Sequence, residues 1–242
     1  MAKSVIERAL PPVAANDQAS LSRRKFLGYA GAATAVMAAA AACTRSNITP
    51  ADTGAGQVNP DGSVDLGSDD VGILNYAFAL EQLEAAFYTQ VIMTPYSGMA
   101  SGETALITDI RDHEIAHREF FKKALGSSAI PALEVDFSSI DFGSRSSVLA
   151  TAKAFEDLGV SAYNGAGRLI KNADYLVLAG KFVSVEARHA AYIRELVMRN
   201  SFADDSIIDA NGLDVTRKPA DVLAIAKPYI KTKIDASHLP TY

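Results

Sequence analysis

Between residues 70 and 200 the apolar side chains recur at alternating three- and four-residue intervals, the spacing of helices that each bury one stripe. Four stretches carry the pattern. Residues 71–92, "VGILNYAFALEQLEAAFYTQVI", hold no proline and predict the first helix; 103–125, 148–171 and 174–198 predict three more. Only Lys171-Asn172-Ala173 separates the last two, so they are expected as antiparallel neighbours. Residues 126–147 are long enough to run the length of a bundle as a crossover. A short helix is expected over 219–226, before Pro228 ends it. No stretch alternates with a strand's period as strongly. The expectation is an all-α four-helix bundle over 70–200, with a long crossover between helices 2 and 3, a short C-terminal helix and a looser extension over 201–242.

The stripes themselves are unusual. They read Leu74, Ala77, Glu81, Glu84, Tyr88, Val91; then Ile107, Ile110, Glu114, His117, Phe121, Ala124; then Leu149, Ala152, Glu156, Gly159, Tyr163, Ala166; and Tyr175, Ala179, Phe182, Glu186, His189, Ile193. Each is apolar at its ends and ionisable or otherwise atypical at its centre. Carboxylates facing a core cost several kcal/mol each unless paired or protonated. Two divalent cations would neutralise four glutamates. Residues at i and i+3 share a helix face, so Glu114 with His117, and Glu186 with His189, can address one ion each. Glu81 and Glu156 then serve as bridging or terminal ligands.

The pattern is also a repeat. "ALEQLEAAFY" (79–88) shares Ala, Glu, Leu and Tyr with "AFEDLGVSAY" (154–163), and "HEIAHREF" (113–120) shares Glu, His and an aromatic with "VEARHAAY" (185–192). One Glu from each of two helices plus Glu-x-x-His from each of two others resembles the ligand set of ferritin-like di-iron and di-manganese proteins. Over about 70–198 the chain looks closest to exported ferritin-like proteins of the desiccation-related group, and more distantly to rubrerythrin and manganese catalase. The resemblance implies a ferritin-like bundle holding two iron or manganese ions through Glu81, Glu114, His117, Glu156, Glu186 and His189. All are oxygen or imidazole ligands, which suit those metals. Tyr88 and Tyr163, two turns after their glutamates, are expected either to hydrogen-bond ligand carboxylates or to pack as ordinary core aromatics. Glu84 departs from the repeat, its counterpart being Gly159, and reads either as an extra carboxylate near the metals or as a side chain turned toward solvent.

A competing motif needs weighing. His113-Glu114-x-x-His117 has the spacing of a zinc protease helix. In that reading His113 and His117 are ligands and Glu114 is the base. The repeat preserves Glu114 and His117 but puts Val185 opposite His113, and a protease leaves Glu81, Glu156 and Glu186 unexplained. His113 is expected beside the ligands or on the surface.

Composition changes the picture mainly at the N-terminus. Arg23 and Arg24 precede an Ala/Gly-rich apolar stretch, 26–42, that is short and weakly apolar for a membrane span. This resembles a twin-arginine (Tat) export signal over 1–43. The single cysteine, Cys43, directly follows Ala40-Ala41-Ala42, so lipidation at Cys43 and simple cleavage after the alanine run both stay open; one cysteine also excludes disulfides within the chain. Residues 44–69 read as a flexible linker. Residues 1–43 carry five basic against two acidic residues, so the remainder is more acidic than the net −5 of the whole, and no basic cluster is left for nucleic acid. The expected setting is the periplasm, with membrane contact only through a lipid on Cys43. The expected partners are O2 or H2O2, with a second copy of the chain in a homodimer. Two functions follow: oxygen or peroxide redox chemistry in stress protection, or non-catalytic metal binding in the envelope. A third reading, a purely structural module, leaves the ligand set without purpose. A rubrerythrin-type Cys-rich iron module is excluded by the single cysteine.

Overall fold

A computed structural model describes residues 55–242. The twin-arginine motif, Cys43 and the start of the linker lie outside them. Four long helices dominate: α1 (Asp69–Met93), α2 (Ser101–Leu125), α3 (Arg145–Gly167) and α4 (Ala173–Val197); the short α5 (Pro219–Ala226) follows. The expected all-α bundle is therefore observed, with its crossover over 126–144. Among the described residues no helix is long and apolar enough to cross a membrane.

Local chemistry sets the helix ends. The Ser144 side chain accepts from Ser147 N, and Asn172 from Asp174 N, so α3 and α4 each satisfy an orphan N-terminal donor. Gly126, at φ +56°, stops α2. The Asp70 carboxylate, in the first turn of α1, accepts the amides of Lys171 and Asn172 at 2.7 and 2.8 Å and fastens the α3–α4 turn to the start of α1. That cap places α3's end at Gly167, four residues short of the expected 171.

α1 packs along α2, and α3 along α4, and these pairs meet chiefly through α1 and α3. α1 is buried on nearly all sides, because the crossover lies over its outer face. Asn75 holds the crossover there: its amide nitrogen donates to Ser128 O and Leu66 O, and its oxygen accepts Ile130 N. Two turns on, Gln82 accepts Leu133 N at 2.9 Å. Polar residues at these places let apolar neighbours be buried without orphaning the crossover's backbone.

Two expectations are corrected. The described part of the stretch read as linker, 55–69, is folded: Leu66 is fully buried, and β1 (Val64–Asp65) pairs in parallel with β2 (Ile234–Asp235). Local composition concealed this, since the partner strand is remote in sequence and two-residue strands have no period. The extension is likewise packed. Val222 and Ala226 are fully buried, and Ile230 and Leu239 join the core. Arg217 lies against α3 so closely that a Cβ on Gly165 would come within 1.7 Å of Arg217 O. Gly165 is there for backbone approach.

Candidate metal centre

The four long helices bring ionisable side chains to one level of the core. α1 supplies Glu81, α2 Glu114 and His117, α3 Glu156, and α4 Glu186 and His189; all six are buried. They form two overlapping groups. Donor atoms of Glu81, Glu114, His117 and Glu186 lie within 4.8 Å of one another, as do those of Glu114, Glu156, Glu186 and His189. Glu114 and Glu186 are common to both groups, whereas Glu81 and Glu156 each belong to one.

The distances show how the helices share the work. His117 Nδ1 is 3.1 Å from Glu186 Oε1 and 3.3 Å from Glu81 Oε2, but 3.7 Å from Glu114 on its own helix. His189 Nδ1 is 2.8 Å from Glu114 Oε1 and 3.5 Å from Glu156 Oε2. As expected, each histidine shares a group with the glutamate one turn before it. At the bundle's centre the carboxylate of the facing helix comes nearer.

These approaches are close without the alignment of hydrogen bonds. Glu81 Oε2, Glu156 Oε2, both oxygens of Glu114 and of Glu186, and Nδ1 of His117 and His189 are buried with no hydrogen-bond partner. Each such orphan costs ~1–3 kcal/mol. Concentrated in two groups of oxygen and imidazole donors, they are compatible with a metal site. Residues 69–199 match the family described as a ferritin-like domain. The chain belongs to that family. No curated protein matches it in sequence.

In this ferritin-like protein the carboxylate oxygens turned away from the centre are held crosswise by tyrosines. Tyr88 of α1 donates to Glu156 Oε1 of α3 at 2.5 Å, and Tyr163 of α3 donates to Glu81 Oε1 of α1. Of the two readings left open for Tyr88 and Tyr163, the carboxylate hydrogen bond is the one observed.

Electrostatics follow from burial. It pushes the Glu186 and Glu84 carboxyls well above the usual range, and neighbouring carboxylates add to the effect. Glu81 is pushed up to about 7, again by burial first. Burial also opposes charge on His117 and His189, yet their carboxylate contacts prevail and raise them to about 12 and about 10. Without a metal, protons carry the charge balance that cations would otherwise provide.

Glu84 is buried one turn beyond Glu81 but belongs to neither group. A Cβ on Gly159 would stand 3.1 Å from Glu84 Oε1 and 3.0 Å from Glu186 Oε2, so the glycine leaves room for this extra carboxylate. His113 also stands outside both groups. It is solvent-exposed, and its Nδ1 lies 2.9 Å from Nε2 of His189. A zinc protease would need His113 and His117 on one ion, and the structure directs His113 to His189 instead.

Sequence reasoning missed one further cluster, Asp65, Asp235 and His238. Their oxygens are engaged in tying the chain together: Asp65 accepts Gly67 N and faces His238 Nδ1 at 3.0 Å, while Asp235 accepts Asn59 and Ser237. Only the strand pairing brings these residues together, so no local signal reveals them. An apolar cavity of about 40 Å³ also approaches the centre, with Leu74, Phe121, Ala162, Tyr163 and Phe182 in its wall. Phe182 meets the His117 ring edge-on at 4.7 Å.

Proposed function

We propose that this ferritin-like protein holds a dinuclear iron or manganese centre and performs oxygen or peroxide redox chemistry in stress protection outside the cytoplasm. The observation that carries the reading is the set of buried donor atoms without partners, divided into two groups that share Glu114 and Glu186. In this reading Glu81, Glu114, His117 and Glu186 would hold one ion and Glu114, Glu156, Glu186 and His189 the other. Two such ions, when bound, supply two-electron redox chemistry.

The chain's own residues position and shield. Tyr88 and Tyr163 fix the orientation of the Glu156 and Glu81 carboxylates, which limits the reorganisation needed as charge changes. Phe121, Phe182 and Tyr163 keep bulk water from the His117 side. The small apolar cavity beside them suits a compact uncharged oxidant such as O2 better than a charged substrate.

Metal analysis of the purified chain, followed by O2- and H2O2-consumption assays, tests the proposal. About two ions per chain with turnover is the expected result. Two ions without turnover would instead establish the non-catalytic, protective alternative. The location is tested separately. Replacing Arg23 and Arg24 together by lysine keeps their charge but removes the guanidinium pair. The precursor should then accumulate in the cytoplasm, and unimpaired processing would refute Tat export. Mass analysis of the exported form reads whether Cys43 carries lipid.

A further inference from the structure

The two donor groups are built alike but are not supported alike. Behind His189, on the side away from the carboxylates, His113 Nδ1 stands 2.9 Å from Nε2. With Nδ1 of His189 directed among Glu114 and Glu156, a neutral His189 that offers Nδ1 as a lone pair must carry its proton on Nε2. His189 then donates and His113 accepts. Among the described residues, His117 Nε2 makes no hydrogen bond to protein; its ring meets Phe182 instead. The residue in the repeat that corresponds to His113 is Val185, which has no acceptor to offer.

Other features of the two groups are matched or shared. Glu81 and Glu156 each have a tyrosine. Glu84, the second departure from the repeat, shares the space beside Gly159 with Glu186, and Glu186 belongs to both groups. It therefore does not favour one group over the other. Apart from the Phe182 ring against His117, the hydrogen bond to His113 is the difference that falls on a single histidine and, among the described residues, the only polar one.

We infer that His113 is a positioning residue that makes the His189 side the tighter of two metal positions, so that the ions load in a fixed order. The inference rests on the dinuclear reading above. Its physical basis is that an acceptor behind a ligating imidazole fixes its tautomer and ring orientation and makes it a stronger donor. Removing such a partner lowers metal affinity roughly 10- to 100-fold.

Titration of the metal-free full-length chain with Mn²⁺, following free Mn²⁺ by paramagnetic resonance, provides the test. The unaltered chain should bind two ions with unequal dissociation constants. His113→Val copies the other half of the repeat; it should weaken the tighter position by about 10- to 100-fold and leave the weaker unchanged. His113→Asn returns an acceptor oxygen near the Nδ1 position and should restore much of the loss, which a purely structural role does not predict. In a His189→Ala chain the one remaining ion should be indifferent to His113→Val. Since His113 is exposed, the melting temperature of the metal-free His113→Val and His113→Asn chains should stay at the parental value. Unchanged constants in His113→Val, or Asn behaving like Val, would overturn the inference while leaving the dinuclear reading intact. Failure of the unaltered chain to bind Mn²⁺ would overturn the dinuclear reading, and this inference with it.

Discussion

The α1–α2 half and the α3–α4 half deliver the same donor types by nearly the same spacing, yet two of their differences fall beside the site. The first half has Glu84 and His113 where the second has Gly159 and Val185. Where the halves agree, the side chains interlock across the pseudo-twofold relation. Tyr88 serves Glu156 and Tyr163 serves Glu81, while Glu114 and Glu186 face the histidines of the opposing helices. Where they differ, one half supplies a group and the other supplies space. The small residue opposite a large one is as much part of the site as the large one, because Gly159 leaves the room that the Glu84 and Glu186 carboxylates occupy.

The largest expected effect separates shared from unshared ligands. Glu114→Gln should loosen both ions, whereas Glu81→Gln should loosen only the one associated with His117, and Glu156→Gln only the one associated with His189. Each lost ion withdraws about 4 kcal/mol of stabilisation where free metal stands near 1,000 times its Kd. Metal content and melting temperature read together check this. Equal loss from Glu114→Gln and Glu81→Gln would break the distinction between the two kinds of glutamate.

A smaller but sharp contrast involves two glycines of α3. Gly165→Ala drives a Cβ into the backbone at Arg217 and should destabilise the fold by about 1–3 kcal/mol, seen as a lower melting temperature with or without metal. Gly159→Ala meets only the carboxylate ends of Glu84 and Glu186. Helix propensity favours alanine there by about 1 kcal/mol, so metal-free stability should change little while metal affinity falls. Equal thermal losses in the two variants would show that Gly159 is merely a packing glycine.

The finest test compares the tyrosines. Tyr88→Phe and Tyr163→Phe each remove one hydroxyl from a buried pair, and each should weaken one ion by about tenfold, on opposite sides of the centre. Unequal losses would mean that the halves diverge beyond His113 and Glu84. Metal titration of both variants decides.

Much of this was legible in the chain because helical periodicity and the internal repeat act together. The four long helices follow from the stripes, and the glutamates and histidines stand at stripe centres where a core residue ought to be apolar. Which carboxylates are shared was not legible. That depends on how far the facing helices lie from one another, and spacing within a helix carries no such information. His113 was readable as standing apart from the ligands, since the repeat lacks it, but its hydrogen bond to His189 of α4 required the fold. The folding of 55–69 escaped for the same reason: Val64 and Leu66 sit in a polar stretch, and what buries them arrives from the far end of the chain.

That last arrangement has a consequence for how the molecule is made. Val64 waits for Ile234, and the start of α1 is covered in part by Leu239, which lies against Gly72. During synthesis from the N-terminus, the most apolar helix of the bundle is complete long before its final cover leaves the ribosome. Closing so long a loop comes late in folding, after the helical hairpins have formed from near-neighbour contacts. A chain that stops short of β2 leaves Val64 without its partner strand and Gly72 of α1 without its contact to Leu239, so the segment over 234–239 acts as a latch on the start of α1.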